Sequence, residues 1–211
     1  MELYTVAEEA RRKFEGAKGS HDWEHTERVL RLAETLARTE GADLEVVRLA
    51  AVLHDIGRAE EDNLSGGAGH AERGAVLARE LLARHGAPDA LIAAVVHCIA
   101  AHRFRKGPDP ETPEARVVFD ADKLDAIGAV GVGRAFLFAG EVGAKLHNPR
   151  PDIEDTPPYG PEDTAYREYC VKLRRVRDRM RTAAGRRLAD GRHAFMASFF
   201  ARLDREVSGE M

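Results

Sequence analysis

Two cysteines, Cys98 and Cys170, are too few for a disulfide framework and have no metal-site spacing. No apolar run approaches the roughly 18–20 residues that a membrane span needs. The opening MELYTVAEEARRKFEG reads as a charged helix and not as a signal peptide, so the cytoplasm is the expected location. There is no internal repeat and no low-complexity tract. No stretch alternates apolar and polar residues for long enough to demand a strand. Neither sign of charge dominates: 32 basic side chains against 36 acidic ones leave −4, which does not suit a polyanion binder as a whole. What is present is 211 residues, 44% hydrophobic and 32% charged, enough for one well-filled folded domain.

The periodicity predicts helices throughout, hence an all-α fold. An amphipathic helix covers 2–16, and a second covers 23–39, started by Ser20 or Asp22 and stopped near Gly41. Asp43 can cap a third that runs to Ile56 and closes at Gly57. A fourth spans 70–85, and Pro88 opens a fifth that ends near Arg103. Thr112 and Pro113 open a sixth, which continues past Leu124 until glycines 128, 131 and 133 loosen it. Two stretches read as irregular: the glycine-rich 57–69, and 148–161 with five of the nine prolines. Two more helices, 162–184 and 185–207, each have a face to bury. The first shows Tyr166, Tyr169, Cys170, Leu173, Val176 and Met180, the second Phe195, Met196, Phe199, Phe200 and Leu203. They are expected to pack on the first six helices or on another subunit, as in a homodimer, and not to form a separate domain.

The chemistry lies in where the histidines and aspartates fall. His25, Val29, Leu32 and Leu36 share one stripe of the second helix. Val47, Ala50, Ala51 and His54 share one of the third, with Asp55 next in sequence. His70, Gly74, Leu77 and Leu81 share a face of the fourth helix, and Val118, Asp122 and Asp125 one of the sixth. Imidazoles and carboxylates therefore point to the core side of four helices. A buried carboxylate without a partner is costly. A shared cation removes that cost, and a sulfur-free shell of histidine and carboxylate suits Mn²⁺, Fe²⁺, Co²⁺, Ni²⁺ or Zn²⁺. A hydrogen-bonded polar core is the competing account.

Three segments carry a family resemblance: HDWEHTERV at 21–29, LAAVLHDIGR at 49–58 and FDADKLDAIG at 119–128. In this combination the chain resembles the HD-domain metal-dependent phosphohydrolases, which are all-helical. The resemblance implies His25, His54, Asp55 and Asp122 as metal ligands. It extends through TAAGRRLADGRHAFMASFF at 182–200 to a bacterial subgroup of similar length. That subgroup is associated with hydrolysis of nucleoside triphosphates to monophosphate and pyrophosphate. The resemblance thus implies a small phosphate substrate, a nucleotide by expectation, and Mn²⁺ as the first choice of ion, with Mg²⁺ added to the alternatives above. The chain departs from other subgroups. HD 5′-deoxynucleotidases carry glutamate, and guanosine tetraphosphate hydrolases Glu-Asp, where Arg58 and Ala59 stand here. The HD-GYP signature is also absent, because His97 is followed by CIAAH.

Further roles follow from position. His70 and His97 are candidates for substrate contact or a second ion, and each is equally well read as a core residue. His102, five residues after His97, points elsewhere, and His85 and His193 read as surface residues. His21 and Asp22 either cap their helix or support His25. Lys123, Arg28 and Lys145 are candidate phosphate contacts, in that order for the two lysines. Asp125 is a general base, an orienting group or a partner for Lys123. With Asp55, Asp122 and Lys123 it completes the candidate catalytic set. The loop 57–69 is a candidate lid, and its Glu60, Glu61 and Asp62 are further acids for proton transfer. The arginine-rich 171–192 reads as a solvated face and not a nucleic-acid patch. Two rival readings remain: a nucleotide-sensing module without catalysis, and a di-iron oxygenase on the same fold.

Overall fold

A computed structural model describes residues 3–14, 23–58, 70–103, 107–150 and 152–210, without the side chains of His70 and Ala71. His21, Asp22 and the stretch 59–69, and with it all of the lid but Gly57 and Arg58, lie outside the described residues. The fold is all-α, with no strand among the described residues. The helices are α1 Leu3–Arg12, α2 Trp23–Glu40, α3 Leu44–Leu53, α4 His70–Arg84, α5 Asp89–Ala101, α6 Pro113–Asp125, α7 Gly128–Glu141, α8 Ala165–Val171 and α9 Ala183–Val207. Short 3₁₀ turns occupy Ile153–Asp155, Leu173–Arg175 and Arg177–Arg179. None of the described helices is long and apolar enough to cross a membrane. The chain divides into two compact units, Met1–Asp122 with Arg181–Gly185, and Lys123–Met180 with Arg186–Met211.

In the first unit α3 packs against α1, α2 and α5, and α5 also packs against α4. Val46, Val47 and every residue from Leu49 to Leu53 are buried, so α3 is apolar nearly all round, as a central helix must be. Fully burying Leu49 and Leu53 contributes about 1.5–3 kcal/mol each. Asp43 caps the helix as expected, its carboxylate accepting from the Glu45 and Val46 N–H groups at 2.8 and 3.2 Å. The helix does not reach Ile56, however. After Leu53 the chain tightens into three-residue turns: Ile56 N–H donates to Leu53 O at 3.1 Å and Arg58 N–H to Asp55 O at 2.9 Å. His54 and Asp55 therefore sit on the tightened turn that ends the central helix.

Asp120, fully buried on α6, was not singled out by the sequence reading. Its carboxylate accepts from the N–H groups of Arg181 and Thr182, both at 2.8 Å, and from the Thr182 hydroxyl at 2.7 Å. It thereby satisfies backbone donors at the start of α9 from another helix. Gly185 is required there, since a Cβ would stand 2.8 Å from Asp120 Cγ.

In the second unit the glycines expected to loosen the chain instead begin a new helix, α7. Gly128 takes φ +80°, and a Cβ on Gly131 would be driven into the Ala126 carbonyl carbon at 2.5 Å. Absence of side chains permits the tight turn, and the helix then runs to Glu141 with Val132, Ala135 and Ala139 buried. The helix predicted over 162–184 is also broken. Thr164 caps α8, its hydroxyl accepting from Arg167 N–H at 3.1 Å, and two 3₁₀ turns follow. Buried Cys170, Leu173 and Val176 repeat at intervals of three, the period of a 3₁₀ helix, and the intervening Arg174 and Arg175 both reach Glu154. On α9, Met196 and Phe200 are buried but Phe195 is 48% exposed, so the apolar face is narrower than predicted. Phe200 stacks on Tyr169 at 4.6 Å.

The proline-rich stretch is irregular, as predicted, and is held from within. The buried Arg167 guanidinium donates to Thr156 O and Oγ1 and to Asp163 Oδ1, and Asp163 Oδ2 accepts from Tyr159 N–H at 2.8 Å. Tyr159 is held at φ +61° with its ring 77% exposed.

Candidate metal centre

Three elements of the first unit bring the candidate ligands together. α2 supplies His25 from its first turn, the turn after α3 supplies His54 and Asp55, and α6 supplies Asp122. One ligand atom from each of His25, His54 and Asp122 lies within 4.8 Å of the others. His25 Nε2 is 3.3 Å from His54 Nε2, 3.4 Å from Asp122 Oδ1 and 3.9 Å from Asp55 Oδ2. Asp55 Oδ2 is 3.7 Å from His54 Nε2. His25, His54 and Asp55 are buried, and the Asp122 side chain is 14% exposed.

The protonation of the cluster follows from its hydrogen bonds. His54 Nδ1 lies 2.8 Å from Ala51 O, which can only accept, so Nδ1 carries the proton and Nε2 presents a lone pair. Burial pushes the His54 pKa down to about 4, against the pull of Asp55 and Asp122, and the ring is neutral near pH 7. Burial works to push the Asp55 carboxyl up. The imidazoles of His54 and His102 and the Arg58 guanidinium outweigh it and hold the group well below the usual carboxylate range. The centre thus joins an imidazole lone pair and an ionised carboxylate to His25, whose Nε2 can add one N–H, and to the Asp122 carboxylate. Such a set of nitrogen and oxygen acceptors, without sulfur, fits a divalent cation.

The remaining candidates fall elsewhere. Arg28 Nη1 lies 3.9 Å from Glu24 Oε2, one turn back on α2. His70 opens α4, but its side chain is outside the described residues. His97 is half-buried and accepts from the Glu111 backbone N–H at 3.3 Å. His102 does point away from His97, but the direction it takes is into the centre. It is 2% exposed, its Nε2 is 3.6 Å from Asp55 Oδ1, and its ring meets the His54 ring edge-on at 5.3 Å. The helical wheel missed this because His102 caps α5 beyond its last turn. His85, read as a surface residue, is half-buried against Glu9 at 2.9 Å.

Lys123, Asp125 and Lys145 belong to the second unit. There the buried Asp125 pairs with Arg134 at 2.9 Å, and Lys145 pairs with Glu162. The arginine-rich segment is laced with exposed ion pairs such as Arg177 with Asp190 at 3.7 Å.

Residues 22–127 match the model of the HD domain, and this stretch holds the whole cluster. The chain belongs to the HD-domain family. HD membership supports a metal-dependent phosphohydrolase, with the His/Asp cluster as the place that could hold the divalent ion. Bacillus subtilis YpgQ is 35% identical over 193 residues, covering 90% of this chain and 85% of YpgQ. The crystal structure of YpgQ in complex with ADP superposes with a TM-score of 0.76 at 32% identity, over 99% of both chains. An HD-superfamily hydrolase from Bacillus thuringiensis gives 0.74 at 26% identity, over 98% of this chain and 96% of its own. Ribonuclease Y of Chloroflexus aurantiacus is 35% identical over 114 residues, 54% of this chain but only 20% of that enzyme.

Proposed function

We propose that this protein hydrolyses a nucleotide at phosphorus, with His25, His54, Asp55 and Asp122 holding a divalent cation, Mn²⁺ by preference. The observation that carries the reading is the convergence of imidazole and carboxylate groups from α2, the turn after α3 and α6 on one point. A bound divalent cation supplies a Lewis acid for a phosphoryl oxygen and acidifies a water for attack on phosphorus. The chain's own part is to fix that chemistry in place. The His54 Nδ1–H to Ala51 O bond sets the ring orientation, and the buried turn after α3 fixes Asp55. Asp122, the most exposed of the four, orients the attacking water, and Arg28 neutralises charge on phosphate oxygens from one turn beyond His25. The Arg134 pair engages Asp125, which favours anchoring over proton transfer for that residue.

A nucleotide is supported by YpgQ, a relative similar along nearly its whole length that holds ADP in its crystal. Within that class the subgroup resemblance points to a nucleoside triphosphate, cleaved to monophosphate and pyrophosphate. The test is a panel of nucleoside mono-, di- and triphosphates and an RNA oligonucleotide, with Mn²⁺, Co²⁺, Ni²⁺ or Mg²⁺. Pyrophosphate from a triphosphate, lost in His54→Ala and Asp55→Ala, is the expected result. Orthophosphate instead would revise the bond cleaved, and cleavage of RNA alone would overturn the nucleotide reading. Nucleotide binding without product under every cation would favour a sensing module over an enzyme.

A further inference from the structure

We propose that the outer face of α7 is a contact surface for a second copy of this chain, met as an antiparallel helix pair about a two-fold axis. α7 lies in the second unit and buries Val132, Ala135 and Ala139. On its opposite side Val130, Gly133, Leu137 and Gly140 follow one another at three, four and three. All four are exposed, Val130 at 39% and Leu137 at 47%. The solvent-facing stripe of a helix ordinarily carries charged and polar side chains. This stripe carries none, in a chain of which 32% of the residues are charged. Water and charged partners match such a face poorly, whereas a second copy brings the same uncharged stripe, as a two-fold contact requires.

The stripe also fits itself in shape. In an antiparallel pair with this spacing, Val130 meets the partner's Gly140, and Leu137 meets the partner's Gly133. Each apolar side chain thus faces a glycine. A Cβ at Gly133 or Gly140 would have no neighbour within 4 Å, so both positions are open to receive it. Charge selects the same direction. α7 ends on Glu141, has no acidic residue in its first turn, and is preceded by Ile127, which gives no side-chain hydrogen bond to the helix start. A carboxylate is disfavoured at the negative end of its own helix and favoured at the positive end of another. The register that sets 130 against 140 places Glu141 beside the partner's Ala129, in the first turn of that helix. A parallel pair would instead set glycine against glycine and the two Glu141 carboxylates side by side.

Sedimentation equilibrium over a range of protein concentrations reads the assembly state, and circular dichroism checks that each variant is folded. The wild type is expected to be a dimer. Leu137→Glu brings a carboxylate into the apolar contact, and Gly133→Leu fills the space that receives the partner's Leu137. Each should weaken association by about 100-fold or more. Both positions are exposed in the single chain, so neither change disturbs its core. Exchanging the two residues, Gly133→Leu together with Leu137→Gly, again sets a large side chain against a glycine in the same register and should recover the dimer. A monomeric wild type would overturn the proposal. So would a dimer that persists in both single variants, or one that the exchange fails to recover. A monomeric wild type that sediments with phosphatidylcholine vesicles, and a Leu137→Glu variant that does not, would assign the face to a lipid surface instead.

Discussion

Acidification of the metal-free protein tests the buried histidine directly. His54 is fully buried with a pKa of about 4 in the folded chain, against 6.5 for a free imidazole. Below pH 6.5 the unfolded chain takes up a proton that the folded chain refuses until about pH 4, so protons favour unfolding across that window. The contribution of His54 is therefore complete above pH 6.5, and it falls by about 3 kcal/mol as pH drops to 4, at 1.36 kcal/mol for each pKa unit. Asp55, held well below 3.8, loses its own contribution as pH falls from about 5 through that value, so it overlaps only the acid end of the window. The assay is urea unfolding in EDTA at half-unit steps from pH 4 to 7, for the wild type and for His54→Phe. The apolar ring cannot protonate, and its curve should lack this part of the slope. Parallel curves for the two proteins between pH 4.5 and 6.5 would refute the assignment of a buried neutral imidazole.

Other consequences are read with simpler measurements. Saturating Mn²⁺ at about 100 times its dissociation constant should stabilise the fold by about 2.7 kcal/mol, which raises the melting temperature by roughly 5–10 °C for a chain of this size. Scanning fluorimetry with and without EDTA measures it, and an unchanged melting temperature would count against a cation site. Asp120→Ala removes an acceptor shared by three donors, two of them buried, and should cost on the order of 2–4 kcal/mol in urea unfolding. A loss under 1 kcal/mol would mean that the start of α9 is satisfied in some other way. Tyr159→Gly relieves a positive φ and should be neutral or stabilise the protein by up to about 1 kcal/mol. Clear destabilisation would show that the exposed Tyr159 ring contributes more than its backbone strain costs.

How much of this was legible in the sequence depended on which force decided each element. α2 and α3 follow from apolar spacing and a capping aspartate, and the inward direction of His25 and His54 follows from the same spacing, because burial of the stripe fixes the side-chain direction. α7 was missed because glycine was weighed for its entropy. At Gly128 and Gly131 the absence of a Cβ decides instead, through close approach to other backbone and side-chain atoms that no local pattern reveals. The break after α8 came from a local competition. Apolar residues three apart satisfy an α-helical stripe and a 3₁₀ turn equally well, and ion pairs from Arg174 and Arg175 to Glu154 accompany the tighter form. His102 shows the limit most clearly. Position on a helical wheel assigns a direction only while the helix continues, and His102 stands where α5 has ended and its ring nitrogen bonds back to Ile99 O. The same feature explains its place at the centre. A residue just past a helix end is not bound to the helix stripe, so its ring can be aimed across at a neighbouring turn. The turn it meets is the one on which α3 ends and Asp55 sits, so two helix termini face each other behind the ligand cluster.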